Sequence, residues 1–105
     1  MNFETIHDLV LSLENTEQNP HFDRTAFKVK GKRIFASYDE KSNSVNIKLP
    51  LVDQVTFCSY KTGIFPVPNK FGEQGWTTFE LNVIPTELVF EAMHTAYLDV
   101  ISPKK

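Results

Sequence analysis

Five cationic side chains sit near one another in the middle of this sequence: Lys28, Lys30, Lys32, Arg33 and Lys48. Residues 21–49 hold seven cationic residues against three anionic ones, although the whole chain carries −2. The charge is therefore segregated, with a basic middle and acidic flanks. Clustered Lys and Arg neutralise phosphates, and a two-stranded ribbon fits the major groove of duplex DNA. The plainer reading is a solvated sheet face whose lysines discourage sheet-to-sheet pairing. The acidic remainder favours that reading, since nucleic-acid-binding domains are usually basic overall. Weak, salt-sensitive binding to duplex DNA is the most this pattern supports.

A second group comprises His21, Arg24, Lys70, Gln74 and Trp76. These residues fall in or beside two expected loop regions, and loops on a rigid scaffold often carry binding. If residues 20–24 pack against residues 69–76, they form a ligand groove with an aromatic floor and a cationic rim. Such a groove suits an anionic or planar ligand. The alternative makes Trp76 a core plug and leaves Gly72 and Gly75 merely to shape a turn.

Other candidates are weaker. Glu4 and Asp8 lie one turn apart on a helical pattern, but such pairs are common on solvated helices. His7, His21 and His94 lack ligand spacing, so no metal site is expected. Cys58 is the single cysteine. It excludes an intrachain disulfide and has no adjacent activating group, so an inert thiol is expected. Gly72 and Gly75 are not followed by the Lys-Ser/Thr of a phosphate loop. No catalytic constellation and no cofactor motif is present, and a non-enzymatic protein is expected.

The elements that must position these residues follow from periodicity. Residues 25–29, 33–38 and 44–49 read as three consecutive antiparallel strands with alternating faces. Thr25, Phe27 and Val29 share one face, with Ala26 and Lys28 opposite. Ile34, Ala36 and Tyr38 are expected opposite Arg33, Phe35 and Ser37. Val45, Ile47 and Leu49 are expected to be buried, with Ser44, Asn46 and Lys48 wet. Gly31 supplies the positive φ of the first hairpin turn.

Residues 2–14 read as a helix with a stripe of Phe3, Ile6, Leu9, Val10 and Leu13 and with Asn2 as N-cap. Residues 14–23 read as a loop. Pro50 ends the third strand, and residues 51–60 read as a short helix with Leu51, Val55 and Cys58 inward and Val52 beside them. Residues 64–68, with two prolines, suit an extended edge segment. Residues 69–75 read as a loop, and 76–81 as a strand with Trp76, Thr78 and Glu80 on one face. A final helix begins around Pro85. Its stripe is Val89, Met93, Ala96, Tyr97 and Val100, flanked by Leu88 and Ala92, and it leads into a frayed tail at 102–105.

The 105 residues suit one domain, and nine Phe, three Tyr and one Trp supply a core. Two helical stripes covering the oily face of a sheet of about five strands give a two-layer α+β sandwich. The acidic N-terminal segment has no basic n-region, and no apolar run approaches a membrane span. A monomeric cytoplasmic protein is expected.

The blocks HFDRTAFKVKGKRIFA, VNIKLP and FPVPNKFGEQGWTTFEL resemble the MmcQ/YjbR family of small bacterial proteins. The similarity extends from about His21 to Tyr97. The resemblance implies a CyaY-like α+β fold, related in outline to frataxin, and a "double wing" DNA-binding role. It brings no catalytic residue.

Overall fold

The computed structural model describes residues 3–21, 23–60 and 62–102, with the side chains of all of these except His21. In chain order the elements are α1 (Phe3–Leu11), β1 (Thr16–His21), β2 (Arg24–Val29), β3 (Ile34–Asp39), β4 (Ser44–Lys48), α2 (Leu51–Cys58), β5 (Ile64–Pro66), α3 (Lys70–Glu73), β6 (Trp76–Glu80) and α4 (Thr86–Ile101). The six strands form one antiparallel sheet in the order β1-β2-β3-β4-β6-β5. The fold class is α+β. The expected cap at Asn2 and the tail from Pro103 lie outside the described residues.

α1 and α4 cover the inner face of the sheet. Ile6 and Val10 of α1 are fully buried, as are Val89, Ala92, Met93 and Ala96 of α4. They meet Phe27, Val45, Ile47 and Phe79 from the strands, all of them fully enclosed. Phe3 packs on Phe27 and Tyr38, and Phe35 meets Tyr97 edge-on with ring centroids 6.3 Å apart. Burial of each such side chain stabilises the fold by roughly 1.5–3 kcal/mol. The Tyr97 hydroxyl donates to the Glu14 carbonyl oxygen at 2.8 Å and ties the two helical ends together.

The sheet has six strands rather than about five because part of the expected loop at 14–23 is β1. Its sequence has no apolar face, which hides it from a periodicity argument. The ladder to β2 supplies what the pattern lacks, pairing Thr16 with Val29 through to His21 with Arg24. Asn15 turns the chain into it with φ 62°, a region Asn tolerates. The Thr16 hydroxyl, within 2.7 Å and 2.9 Å of the Val10 and Leu13 carbonyl oxygens, closes the end of α1. Both border strands contain a proline, Pro20 in β1 and Pro66 in β5, where a missing N–H is tolerated.

β3 departs from strict alternation. The β2–β3 register shifts between Phe27 and Lys28, pairing Phe27 with Ala36 but Lys28 with Ile34. Phe35 is the extra residue of a β-bulge. Phe35, Ala36 and Tyr38 all enter the core, and Ile34 joins Ser37 at the hollow of the outer face. The expected alternation of Ile34, Ala36 and Tyr38 against Phe35 and Ser37 therefore breaks at the bulge, which sends Phe35 to the same side as Ala36 and Tyr38 and Ile34 to the other.

α2 is also turned from its expected orientation. Leu51, Val52 and Val55 are exposed, while Gln54 and Phe57 are buried. Phe57 meets the Phe79 ring edge-on at 5.9 Å. The face that docks is set by one aromatic and one amide rather than by the aliphatic residues. Residues 70–73, expected in a loop, form the single turn α3.

Candidate functional site

The outer face of the sheet carries the residues that the core does not use. One row across it runs Ala26, Ser37, Asn46, Thr78 and Phe65, each paired with the next through the strand registers. Small side chains at Ala26 and Ser37 leave this row low. The chain rises beside it at residues 67–71 and borders an open hollow of about 360 Å³. Its apolar lining is Ala26, Ile34, Val67, Phe71 and Trp76. Its polar lining is Arg24, Ser37, Asn46 and Asn69, with no carboxylate. The β3 bulge matters here, because it delivers Ile34 to this hollow.

The wall at α3 is held by close backbone contact. A Cβ on Gly72 would lie 2.0 Å from the Val67 carbonyl oxygen, and one on Gly75 would lie 2.0 Å from that of Leu49. Only glycine permits these approaches, and Gly75 also has φ +108°. The Asn69 side chain caps α3 by accepting from the Phe71 N–H at 2.8 Å. Gln54, buried in α2, donates to the Gly72 carbonyl oxygen and braces the wall from below. Sequence periodicity misses Gln54 because a polar residue on an apolar helix reads as outward. Asn69 carries a signal, since an Asn one residue before a short turn is a common N-cap.

Arg24 is fixed at one end of the hollow. Its Nε donates to Ser37 Oγ at 2.7 Å, its Nη2 donates to the Ser37 carbonyl oxygen at 2.9 Å, and its Nη1 lies 3.7 Å from Asp39. The Ser42 hydroxyl bonded to Asp39 holds that carboxyl below its ordinary 3.8. The Arg24 charge and the backbone N–H groups of Lys41 and Ser42 act in the same direction, against partial burial. A smaller hollow of about 220 Å³ lies beside Phe3 and Tyr38, with Asp23 and Glu40 at its lining. Burial, then Glu40 and Asp39, push the Tyr38 phenol above its ordinary 10.0.

Of the expected groove residues, Arg24 and Trp76 do line one hollow. Lys70 and Gln74 are exposed on and beside α3 and do not line it. The His21 side chain lies outside the described residues. Trp76 is half-buried at the hollow and is not a core plug.

The expected basic face is divided. Lys28 is on the outer face but lies 3.8 Å from Glu17 of β1. Lys48 is on the same face, cross-strand from Trp76. Arg33 instead reaches Asp99 of α4 at 2.9 Å. Its Nε is buried without a hydrogen-bond partner among the described residues. Lys30 and Lys32 are exposed at the β2–β3 turn. Among the described residues, the outer-face cations Arg24, Lys28 and Lys48 are matched by the anions Glu17, Asp39 and Glu80.

Cys58 is half-buried, and burial pushes its thiol above the ordinary 9.0. That is the opposite of an activated nucleophile. No three His, Cys, Asp or Glu side chains among the described residues converge to hold a metal ion. No helix among them is long and apolar enough to cross a membrane.

The family model for YjbR matches residues 11–98. A crystal structure of the Deinococcus radiodurans protein DR2400, described with a DUF419 domain, superimposes with a TM-score of 0.75 at 21% identity. The match covers 92% of this chain and 76% of that one. At that identity the likeness is one of fold. No curated protein matches the chain.

Proposed function

Because this chain belongs to the YjbR family and its sheet is hollowed beside Trp76, we propose a non-enzymatic binding module that takes a small ligand into that groove. The observation carrying this reading is the open hollow of about 360 Å³, mostly apolar, with a few convergent polar groups. That combination is the usual form of a small-molecule site. The walls are preset by Gly72, Gly75 and Gln54, so little ordering is required on binding. The test is an amide chemical-shift titration with a mixed metabolite pool. A groove ligand shifts Arg24, Asn69 and Trp76, and Phe71→Ala weakens it, since Phe71 is half-exposed and its loss spares the core. Shifts confined to other surfaces, or none, defeat the reading.

Duplex DNA is the second reading, implied by the family resemblance. Its specific support is the exposed pair Lys30 and Lys32 at the β2–β3 turn. The balanced charge of the outer face leaves few further cations for phosphate. Two phosphate contacts give a log–log salt slope of only about −2. A mobility shift at low salt that Lys30→Ala/Lys32→Ala abolishes supports DNA binding. No shift at high protein concentration removes it.

A further inference from the structure

We infer that the groove's ligand is an apolar, flat anion that presents acceptors, of the aromatic carboxylate class. This inference rests on the groove reading above and deepens it. Its basis is the balance of donors and acceptors around the hollow. Ser37 Oγ already accepts from Arg24 Nε, which leaves its own O–H to donate toward a ligand beside one remaining lone pair. Asn46 Oδ1 accepts from the Thr78 hydroxyl at 2.7 Å, which leaves its Nδ2 hydrogens. Asn69 Oδ1 accepts from the Phe71 N–H, which leaves its Nδ2 hydrogens too. The orientation of Asn69 is unambiguous, because a backbone N–H can only donate.

The remaining polar groups point the same way chemically. Trp76 Nε1 is a donor only, and Arg24 retains N–H groups beyond those given to Ser37. The backbone acceptors at the wall each already receive an N–H. The Val67 carbonyl oxygen accepts from the Asn69 N–H at 2.8 Å, and that of Trp76 accepts from the Val67 N–H at 3.0 Å. The lining thus offers more donors than acceptors, has no carboxylate, and is otherwise apolar and aromatic. A ligand rich in donors would leave these groups unpaired in a partly dry hollow, which is costly. A carboxylate pairs with them, and an aromatic body fills the space between Trp76, Phe71 and Ile34.

The experiment compares naphthoate with naphthylmethylammonium, matched in ring and opposite in charge, by side-chain and backbone N–H shifts on the full chain. Naphthoate is expected to shift the Asn46 and Asn69 side-chain NH2 signals and the Trp76 indole signal, and to bind at least about tenfold tighter than the ammonium. Asn46→Asp replaces free donors with an acceptor while keeping the atom that receives Thr78. It is expected to weaken naphthoate about tenfold and leave the ammonium unchanged or tighter. Ammonium binding as well as naphthoate in the groove overturns the ligand class and leaves the groove reading intact. Neither probe perturbing the groove overturns both. Equal weakening of the two probes by Asn46→Asp also overturns the class, because it assigns Asn46 a purely structural part.

Discussion

The Gln54 side chain donates from Nε2 to the Gly72 carbonyl oxygen at 2.8 Å, across eighteen residues of sequence, and lies 3.3 Å from the Trp76 carbonyl oxygen. One buried amide therefore joins α2 to both sides of the corner that walls the groove. Gln54→Leu keeps most of the volume and strips the donor from two carbonyl groups. A loss of about 1–3 kcal/mol is expected in urea unfolding. Trp76 emission should shift to longer wavelength as the corner loosens. An unchanged unfolding midpoint sinks this account.

The glycines of the corner should differ sharply from the hairpin glycine. Gly31 has φ +76°, and a Cβ added there would have nothing within 4 Å, so alanine meets only backbone strain. Gly31→Ala is expected to cost about 1–2 kcal/mol. Gly75→Ala adds a clash with the Leu49 carbonyl oxygen, and overpacking contributes about 1–3 kcal/mol more. Thermal unfolding of the two variants side by side checks the order. Equal losses show that the corner yields.

The bulge in β3 makes a prediction that simple alternation reverses. Phe35 is fully buried, whereas Ile34 is only half-buried at the groove. Phe35→Ala should cost about 3–5 kcal/mol, as for a buried aromatic. Ile34→Ala should cost much less. Chemical denaturation of both variants decides it, and the reverse order contradicts the bulge.

The same residues show what is legible in the sequence. Val45 and Ile47 in β4 with Leu49 just after it, and the α4 stripe from Leu88 to Val100, alternate or repeat cleanly because one face of each element meets only core. β1 is invisible to such patterns because Thr16, Gln18 and Pro20 give no apolar side, and its strand character comes from pairing with β2. α2 reads inverted because the burial of Gln54 depends on carbonyl oxygens of α3 and β6, which are distant in sequence. Arg24 and Trp76 are within reach as groove residues. Ser37, Asn46 and Asn69 are not, since their grouping depends on strand register and on the bulge.

Asp39 should leave a mark on acid stability. Its folded-state carboxyl lies below the ordinary 3.8, chiefly through Ser42. As pH falls, the unfolded chain takes up this proton first, so the contribution is present above 3.8 and is lost as pH drops through the folded value. Asp39→Asn should flatten that part of the profile. Urea midpoints at about pH 5 and about pH 3 measure it. A variant that loses as much stability on acidification as the parent contradicts the assignment.

Pro20 and Pro66 stand on opposite borders of the sheet. A strand arriving from another copy would meet a gap in the donor row on either side. A seventh strand would therefore lack a ladder hydrogen bond on whichever border it chose, which weakens edge-to-edge growth of the sheet.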